Sequence, residues 1–153
     1  MKFIFAYLLA SLSIVCNAQC PETNPNCNAT NNWVIGDSAG IYFDKDTSYY
    51  YKTALDAKEG TAVLSDDIGN LLFYTDGITI FNEHNKELDI VLNASYSSTQ
   101  AAIFNRLDSI IYISTTHPDS GYYIGKFQMS GDSLLLVENT KKIQKSTEEQ
   151  ASV

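Results

Sequence analysis

Short apolar runs recur along the chain with a period near 40 residues, and this repeat limits the available folds more than any other feature. Thr61-Ala62-Val63-Leu64-Ser65-Asp66, a polar turn and Leu71-Leu72-Phe73-Tyr74-Thr75 return as Ala101-Ala102-Ile103-Phe104-Asn105, a turn and Ile110-Ile111-Tyr112-Ile113-Ser114. The offset is 40 from Ala62 to Ala102 and 39 from Leu71 to Ile110. Each copy continues through a glycine turn into a third run, Gly77 to Phe81 and Gly121 to Ile124. A fourth follows near Lys86 to Val91 and near Ser133 to Val137. Glu149-Gln150-Ala151-Ser152-Val153 echoes Glu59-Gly60-Thr61-Ala62-Val63 and reads as the opening of a third copy. A repeat of about 40–50 residues built from four strands has the period of a β-propeller blade.

The runs are rich in Val, Ile, Leu, Phe, Tyr and Thr and are separated by Gly, Asp, Asn and Ser, which is strand-and-turn chemistry. No segment from Trp33 to about Asn139 keeps a helical stripe. The expected class is all-β, built from antiparallel four-stranded meanders. Leu71-Leu72-Phe73-Tyr74 and Ile110-Ile111-Tyr112-Ile113 are apolar at successive positions, so both faces of their sheets need covering. That favours a partial propeller of about three blades over residues 33–153, with a β-sandwich as the alternative. Closed propellers need at least about four blades, so the reading is of an incomplete ring, the N-terminal part of a longer protein. Asp76-Gly77 is expected to form a two-residue hairpin turn with positive φ at both positions. Asp66-Asp67-Ile68-Gly69-Asn70 reads as a longer loop of the same kind, and Ser130-Gly131-Asp132 as the hairpin turn of the second copy.

The N-terminus reads as an export signal over residues 1–18: Lys2, an apolar run from Phe3 to Val15, and Cys16-Asn17-Ala18 ahead of Gln19. The run is shorter than the roughly 20 residues a membrane span needs. Cleavage after Ala18 removes Cys16 and leaves Cys20 and Cys27, a disulfide pair in an oxidising compartment. Lipid anchoring at Cys16 or Cys20 is disfavoured, since Val15 and Gln19 precede them where Gly or Ala is usual. Residues 19–32, rich in Asn and Pro, read as a linker.

A formal net charge of −8 disfavours nucleic acid and anionic membranes as partners. His84 and His117, the only histidines, sit in separate loops and suggest neither a metal centre nor a general base. No serine lies in a Gly-x-Ser-x-Gly elbow. Asp66, Asp67 and Asp76 fall at strand ends, where a propeller glycosidase presents its paired acids, but turn formation explains them as well. Asp44-Lys45-Asp46-Thr47-Ser48 lacks the Gly and distal Glu of a calcium loop. The expectation is a protein without catalytic residues, metal or cofactor. Its contact surface would draw on Tyr50, Tyr74, Asp76 and Tyr122, with an extracellular glycan or protein as partner.

Several strings together resemble a known group: Asn31-Asn32-Trp33-Val34-Ile35-Gly36, Ala39-Gly40-Ile41-Tyr42-Phe43, Glu59 to Asp66, Gly69-Asn70-Leu71-Leu72-Phe73-Tyr74-Thr75-Asp76-Gly77 and Ser97-Ser98-Thr99-Gln100-Ala101. In this order and spacing they are similar to the N-terminal propeller-like region of secreted Bacteroidetes proteins. These are gliding-motility-associated or PKD-domain proteins carrying a type IX secretion, type B sorting domain at the C-terminus. The resemblance spans residues 31–153. It implies a WD40- or YVTN-like propeller exported to the cell surface or medium for adhesion or interaction. The sequence departs from the group in having neither PKD modules nor a sorting domain, which makes the periplasm the alternative destination. The rival function is the first blades of a propeller carbohydrate-active enzyme.

Overall fold

The computed structural model describes residues 28–58, 60–94 and 102–143. The leader, Cys20, Cys27 and the echo at residues 149–153 lie outside them. The described chain is all-β, with eleven strands in three antiparallel sheets and no helix among the described residues. Sheet A contains β1 (Asn32–Ile35), β2 (Ala39–Phe43) and β3 (Ser48–Lys52). Sheet B contains β4 (Ala62–Ser65), β5 (Leu71–Thr75), β6 (Thr79–Asn82) and β7 (Glu87–Val91). Sheet C contains β8 (Ala102–Leu107), β9 (Ile110–His117), β10 (Gly121–Ser130) and β11 (Ser133–Ile143). Each is a meander in chain order, so sheets B and C are the two four-strand copies that the repeat predicts. The second, third and fourth strands of the second copy run on beyond the expected apolar runs, to His117, Ser130 and Ile143. No closed sheet forms among the described residues, and the structure establishes the all-β class without establishing a propeller.

Sheet B is the middle layer, because its strands are apolar on both faces. Leu64, Phe73, Ile80 and Leu88 pack with Ala102, Phe104, Ile111, Ile113, Phe127 and Leu134 of sheet C in the larger core. On the opposite face Tyr74, Val63, Leu71 and Phe81 pack with Val34, Leu55 and Ala57 in a smaller one. A bulge gives β5 this double allegiance. Leu64 pairs with Phe73 but Ser65 pairs with Leu71, leaving Leu72 as the extra residue. Strict alternation would aim Leu72 with Tyr74; instead Leu72 joins the core shared with sheet C and Leu71 the core shared with sheet A.

The hairpin registers correct the repeat alignment. Val63 faces Tyr74 across β4 and β5, while Phe104 faces Ile113 across β8 and β9. With Tyr74 matched to Ile113, an offset of 39, Val63 falls on Phe104, an offset of 41 rather than 40. A one-residue slip matters because it exchanges the two faces of a strand. In the corrected register, equivalent residues of sheets B and C face the same way round the stack. Their polarity also agrees: the β6–β7 loop and the β10–β11 hairpin share one end, where Asn82 Nδ2 donates to the Asp132 carbonyl at 3.3 Å.

Sheet A does not continue that relationship. Asn32 at the start of β1 donates through Nδ2 to Ser65 Oγ at 3.0 Å, at the end of β4. Thr61, just before β4, donates to the Val34 carbonyl near the end of β1. β1 therefore runs antiparallel to β4. Asn32 also donates to the Gly69 carbonyl at 2.7 Å, and the Asn28 amide to the Asp67 carbonyl at 3.0 Å. The last residues read as linker are thus held in the fold, with Ala29 buried. Within sheet A, the ring of Tyr51 lies over Gly40, its cross-strand partner, and a Cβ at that position would collide with it.

The Asp76-Gly77 turn differs from the two-residue expectation. Thr75 pairs with Ile80, so four residues form the loop, and Gly77 (φ 90°) has positive φ while Asp76 does not. Asp76 Oδ1 accepts from the amides of Ile78 at 2.9 Å and Thr79 at 2.8 Å, supplying through its side chain the closure that a tight turn makes with backbone. Gly131-Asp132 is a two-residue hairpin as expected, since Ser130 pairs with Ser133. Gly77→Val should lower the unfolding free energy by about 1–3 kcal/mol, through left-handed backbone strain at a buried position. Asp76→Asn keeps the accepting oxygen and should lose less than about 1 kcal/mol. Urea titrations of both variants test this, and an unchanged midpoint for Gly77→Val would contradict the turn geometry.

Candidate functional site

The fold separates the four contact residues anticipated from sequence. Tyr50 projects from the outer face of sheet A and Tyr122 from that of sheet C, on opposite ends of the stack. Asp76 is held in its turn. Tyr74 is fully buried between sheets A and B, stacked on Phe81 with ring centroids 5.4 Å apart. Its hydroxyl donates to Asn85 Oδ1 at 2.6 Å and accepts from the Ala54 amide at 3.0 Å. Tyr74 therefore ties the β3–β4 connection to the β6–β7 loop, and its ring is closed to a ligand.

The acids considered for glycosidase chemistry are also apart. Asp66 precedes β5 and Asp76 follows it, so a strand of about 15 Å separates them, beyond the 5–9.5 Å used by paired carboxyl groups. Asp66 is engaged locally: Oδ1 accepts from the amides of Ile68 at 3.1 Å and Asn70 at 2.8 Å, and Oδ2 from Asn70 Nδ2 at 2.8 Å. His84 is exposed beside Glu83 at 3.5 Å, and His117 Nδ1 accepts from the Asp119 amide at 3.3 Å. No group of three or more His, Cys, Asp or Glu suited to a metal ion occurs among the described residues.

What the fold does assemble lies along β4, where β1 and β8 approach it from either side. Between β4 and β8 is a cavity of about 260 Å³ lined by Ala29, Leu64, Ser65, Asp67, Arg106, Leu107 and Asp108. Between β4 and β1 is a shallower one of about 400 Å³, with Ala29 again in its wall beside Thr30, Trp33 and Thr61. Arg106 is the group with chemistry to offer. It sits on the face of β8 that meets sheet B, opposite Ile111, and its Nε donates to the Asp108 carbonyl at 2.9 Å. Its Nη1 is buried with no hydrogen-bond partner among the described residues. A guanidinium N–H left unpaired in a partly enclosed site is costly, and an oxygen-bearing ligand or water would satisfy it. Asp67 and Asp108 add acceptors, and Leu64 and Leu107 an apolar wall. Sequence reasoning passed over Arg106 because Asn105-Arg106-Leu107 carries no motif; only the packing of strands 40 residues apart gives it these neighbours.

Trp33 borders the shallower cavity from an exposed position, its Nε1 donating to the Thr30 carbonyl at 3.1 Å. It meets Phe43 edge to face at an interplanar angle of 69°, so the two rings do not make one flat platform.

Behind the site, burial pushes the Tyr51 phenol up to about 12, with the neighbouring Tyr74 phenol adding to the shift. Burial also raises Tyr74, against a lowering contribution from the Ala54 amide. The neutral phenols are thus favoured in the folded state. Their contribution to stability is complete below pH 10, where the unfolded tyrosines titrate, and is lost as pH rises above it, for Tyr51 on the way towards 12. Tyr51→Phe should cost little at neutral pH, because the buried hydroxyl has no hydrogen-bond partner among the described residues, and should flatten the alkaline decline. Urea midpoints measured from neutral pH to about pH 11 check this, and an unaltered alkaline slope would refute it.

Comparison with family models, curated proteins and solved structures finds no match to the chain.

Proposed function

We propose that this is an exported, non-catalytic interaction module of the cell surface or extracellular space, in which sheets B and C are consecutive blades of an incomplete β-propeller. The propeller reading rests on the shared polarity and facing of these two sheets, and on the approach of their first strands, β4 and β8. Radial repetition requires both features. Export rests on the leader at residues 1–18. With a sorting domain the destination is the surface; without one it is the periplasm.

The ligand we assign is a hydroxyl-rich glycan held at the β4–β8 cavity. Arg106 carries this assignment, through its unpaired, buried Nη1 beside Asp67 and Asp108. Guanidinium donors and carboxylate acceptors set against leucine side chains suit the alternating hydroxyl and C–H surfaces of a sugar. The non-catalytic part of the reading is supported by the separation of Asp66 from Asp76 and by their engagement in turns. A glycan array probed with the full chain should give Arg106-dependent binding without product formation. Arg106→Gln and Asp108→Asn should each weaken it at least about tenfold, while Tyr50→Ala leaves it unchanged. Binding that survives Arg106→Gln would remove the site. Glycan turnover would replace the reading with that of a propeller carbohydrate-active enzyme.

A further inference from the structure

The stack of three sheets ends in two outer faces that carry exposed apolar side chains among polar ones and that nothing in the chain's described residues covers. Residues directly opposite in antiparallel strands share a face. On the outside of sheet A the rows are Trp33–Ile41–Tyr50 and Ile35–Ala39–Lys52, with Phe43 beside them. On the outside of sheet C they are Leu107–Ile110–Gln128–Leu135, Ile103–Ser114–Ile124 and Asn105–Tyr112–Lys126–Glu138, with Tyr122 at the margin. Trp33, Ile35, Phe43 and Tyr50 are 58, 49, 41 and 71 % exposed, and Ile103, Leu107, Tyr122 and Leu135 are 48, 64, 57 and 56 % exposed. Both faces mix aliphatic and aromatic side chains as the two buried sheet-on-sheet contacts do. That composition calls for another sheet rather than a flat glycan surface, the more so because Trp33 and Phe43 are not coplanar.

Charge is distributed to suit the same occupant. Residues 60–94, the middle of the stack, carry Asp66, Asp67, Asp76, Glu83, Glu87 and Asp89 against the single base Lys86. Residues 28–58 carry four acids and three bases, and residues 102–143 four of each. The net negative charge of the described residues is therefore concentrated in the layer that is already covered. The two end layers are close to neutral, so net like-charge repulsion does not oppose their contact. The eight exposed side chains alone offer roughly 1,000 Å² when one end face is seated on the other. Their half-buried neighbours bring this into the range of about 1,200–2,000 Å² of a stable interface.

We propose that copies of this protein associate through their unlike ends, the outer face of sheet C of one copy seating on the outer face of sheet A of the next. The contact repeats between molecules the sheet-on-sheet packing that the chain makes twice within itself. Being heterologous, it either closes a ring or adds copies in series. It does not involve Arg106, and it shares one residue, Leu107, with the wall of the proposed glycan site.

The test is sedimentation velocity on the full chain, produced in a host that exports it, from about 1 to about 200 μM. Weight-average mass should rise with concentration above that of one chain. Ile35→Lys on sheet A and Leu135→Lys on sheet C should each weaken association at least about tenfold, with far-UV circular dichroism and melting unchanged. Mixing these two variants should restore a complex of two copies only. The intact sheet C face of the Ile35→Lys chain then meets the intact sheet A face of the Leu135→Lys chain. Tyr50→Glu and Ile103→Glu repeat the experiment at neighbouring exposed positions should either lysine variant fold poorly. Monomer at every concentration would overturn the proposal. So would association lost through one face but indifferent to the other, or a mixture of variants that stays monomeric.

Discussion

A sheet that is apolar on both faces cannot be stable alone, and the architecture follows from supplying sheet B with two covers. Its strands are too short to bury both faces by curling, the longest being the five residues of β5 and of β7. One cover comes from each neighbouring sheet: sheet C against Leu64, Phe73 and Ile80, and sheet A with the β3–β4 connection against Tyr74 and Phe81. The Leu72 bulge makes this possible with four consecutive apolar residues in β5. Two of them turn to each side, where plain alternation would have placed Leu72 and Tyr74 together.

Polar groups at the layer boundaries fix which cover goes where. Asn32 is buried and reaches two acceptors on the β4–β5 segment, Ser65 Oγ and the Gly69 carbonyl. Asn82 does the corresponding work towards sheet C through Asp132. Apolar contacts alone tolerate sliding, whereas a buried amide that loses its acceptors costs about 1–3 kcal/mol, so these two side chains hold the layers in one register. Asn82 also organises its own loop, accepting through Oδ1 from the amides of His84 and Lys86. Asp66 does the same for Ile68 and Asn70. The β4–β5 and β6–β7 loops are thus one device used twice, with Gly69 at φ 94° and Asn85 at φ 62° in the left-handed position of each.

Much of this was legible in the sequence because strand periodicity and a long repeat survive without any knowledge of contacts. The two four-strand copies, their order and the need for cover on both faces all come from Leu71 to Tyr74 and Ile110 to Ile113. The repeat offset failed by one residue because a bulge and a change in loop length are invisible to string matching. The shared alanine at Ala62 and Ala102 draws the alignment to 40, while hydrogen-bonded register, with β5 matched to β9 at 39, requires 41. The second Asx loop escaped notice since Asn82-Glu83-His84-Asn85-Lys86 lacks the glycine that marks Asp66 to Asn70. Tyrosine is equally at home in cores and on surfaces, and sequence could not separate Tyr74, fully enclosed, from Tyr50 and Tyr122, which are open.

The site was less legible than the fold for a related reason. Catalytic and metal centres announce themselves through several unusual residues at fixed spacing, but a recognition site needs only one donor group in the right cavity. Arg106 is the sole arginine of the chain, and its surroundings come from a β4 end about 40 residues away and from Ala29 ahead of β1. Those three segments are brought together by the same stacking that covers sheet B. The cavity lies where β4 ends at Ser65 and β8 at Leu107, so strand-end and loop residues of both sheets wall it, Asp67 and Asp108 among them.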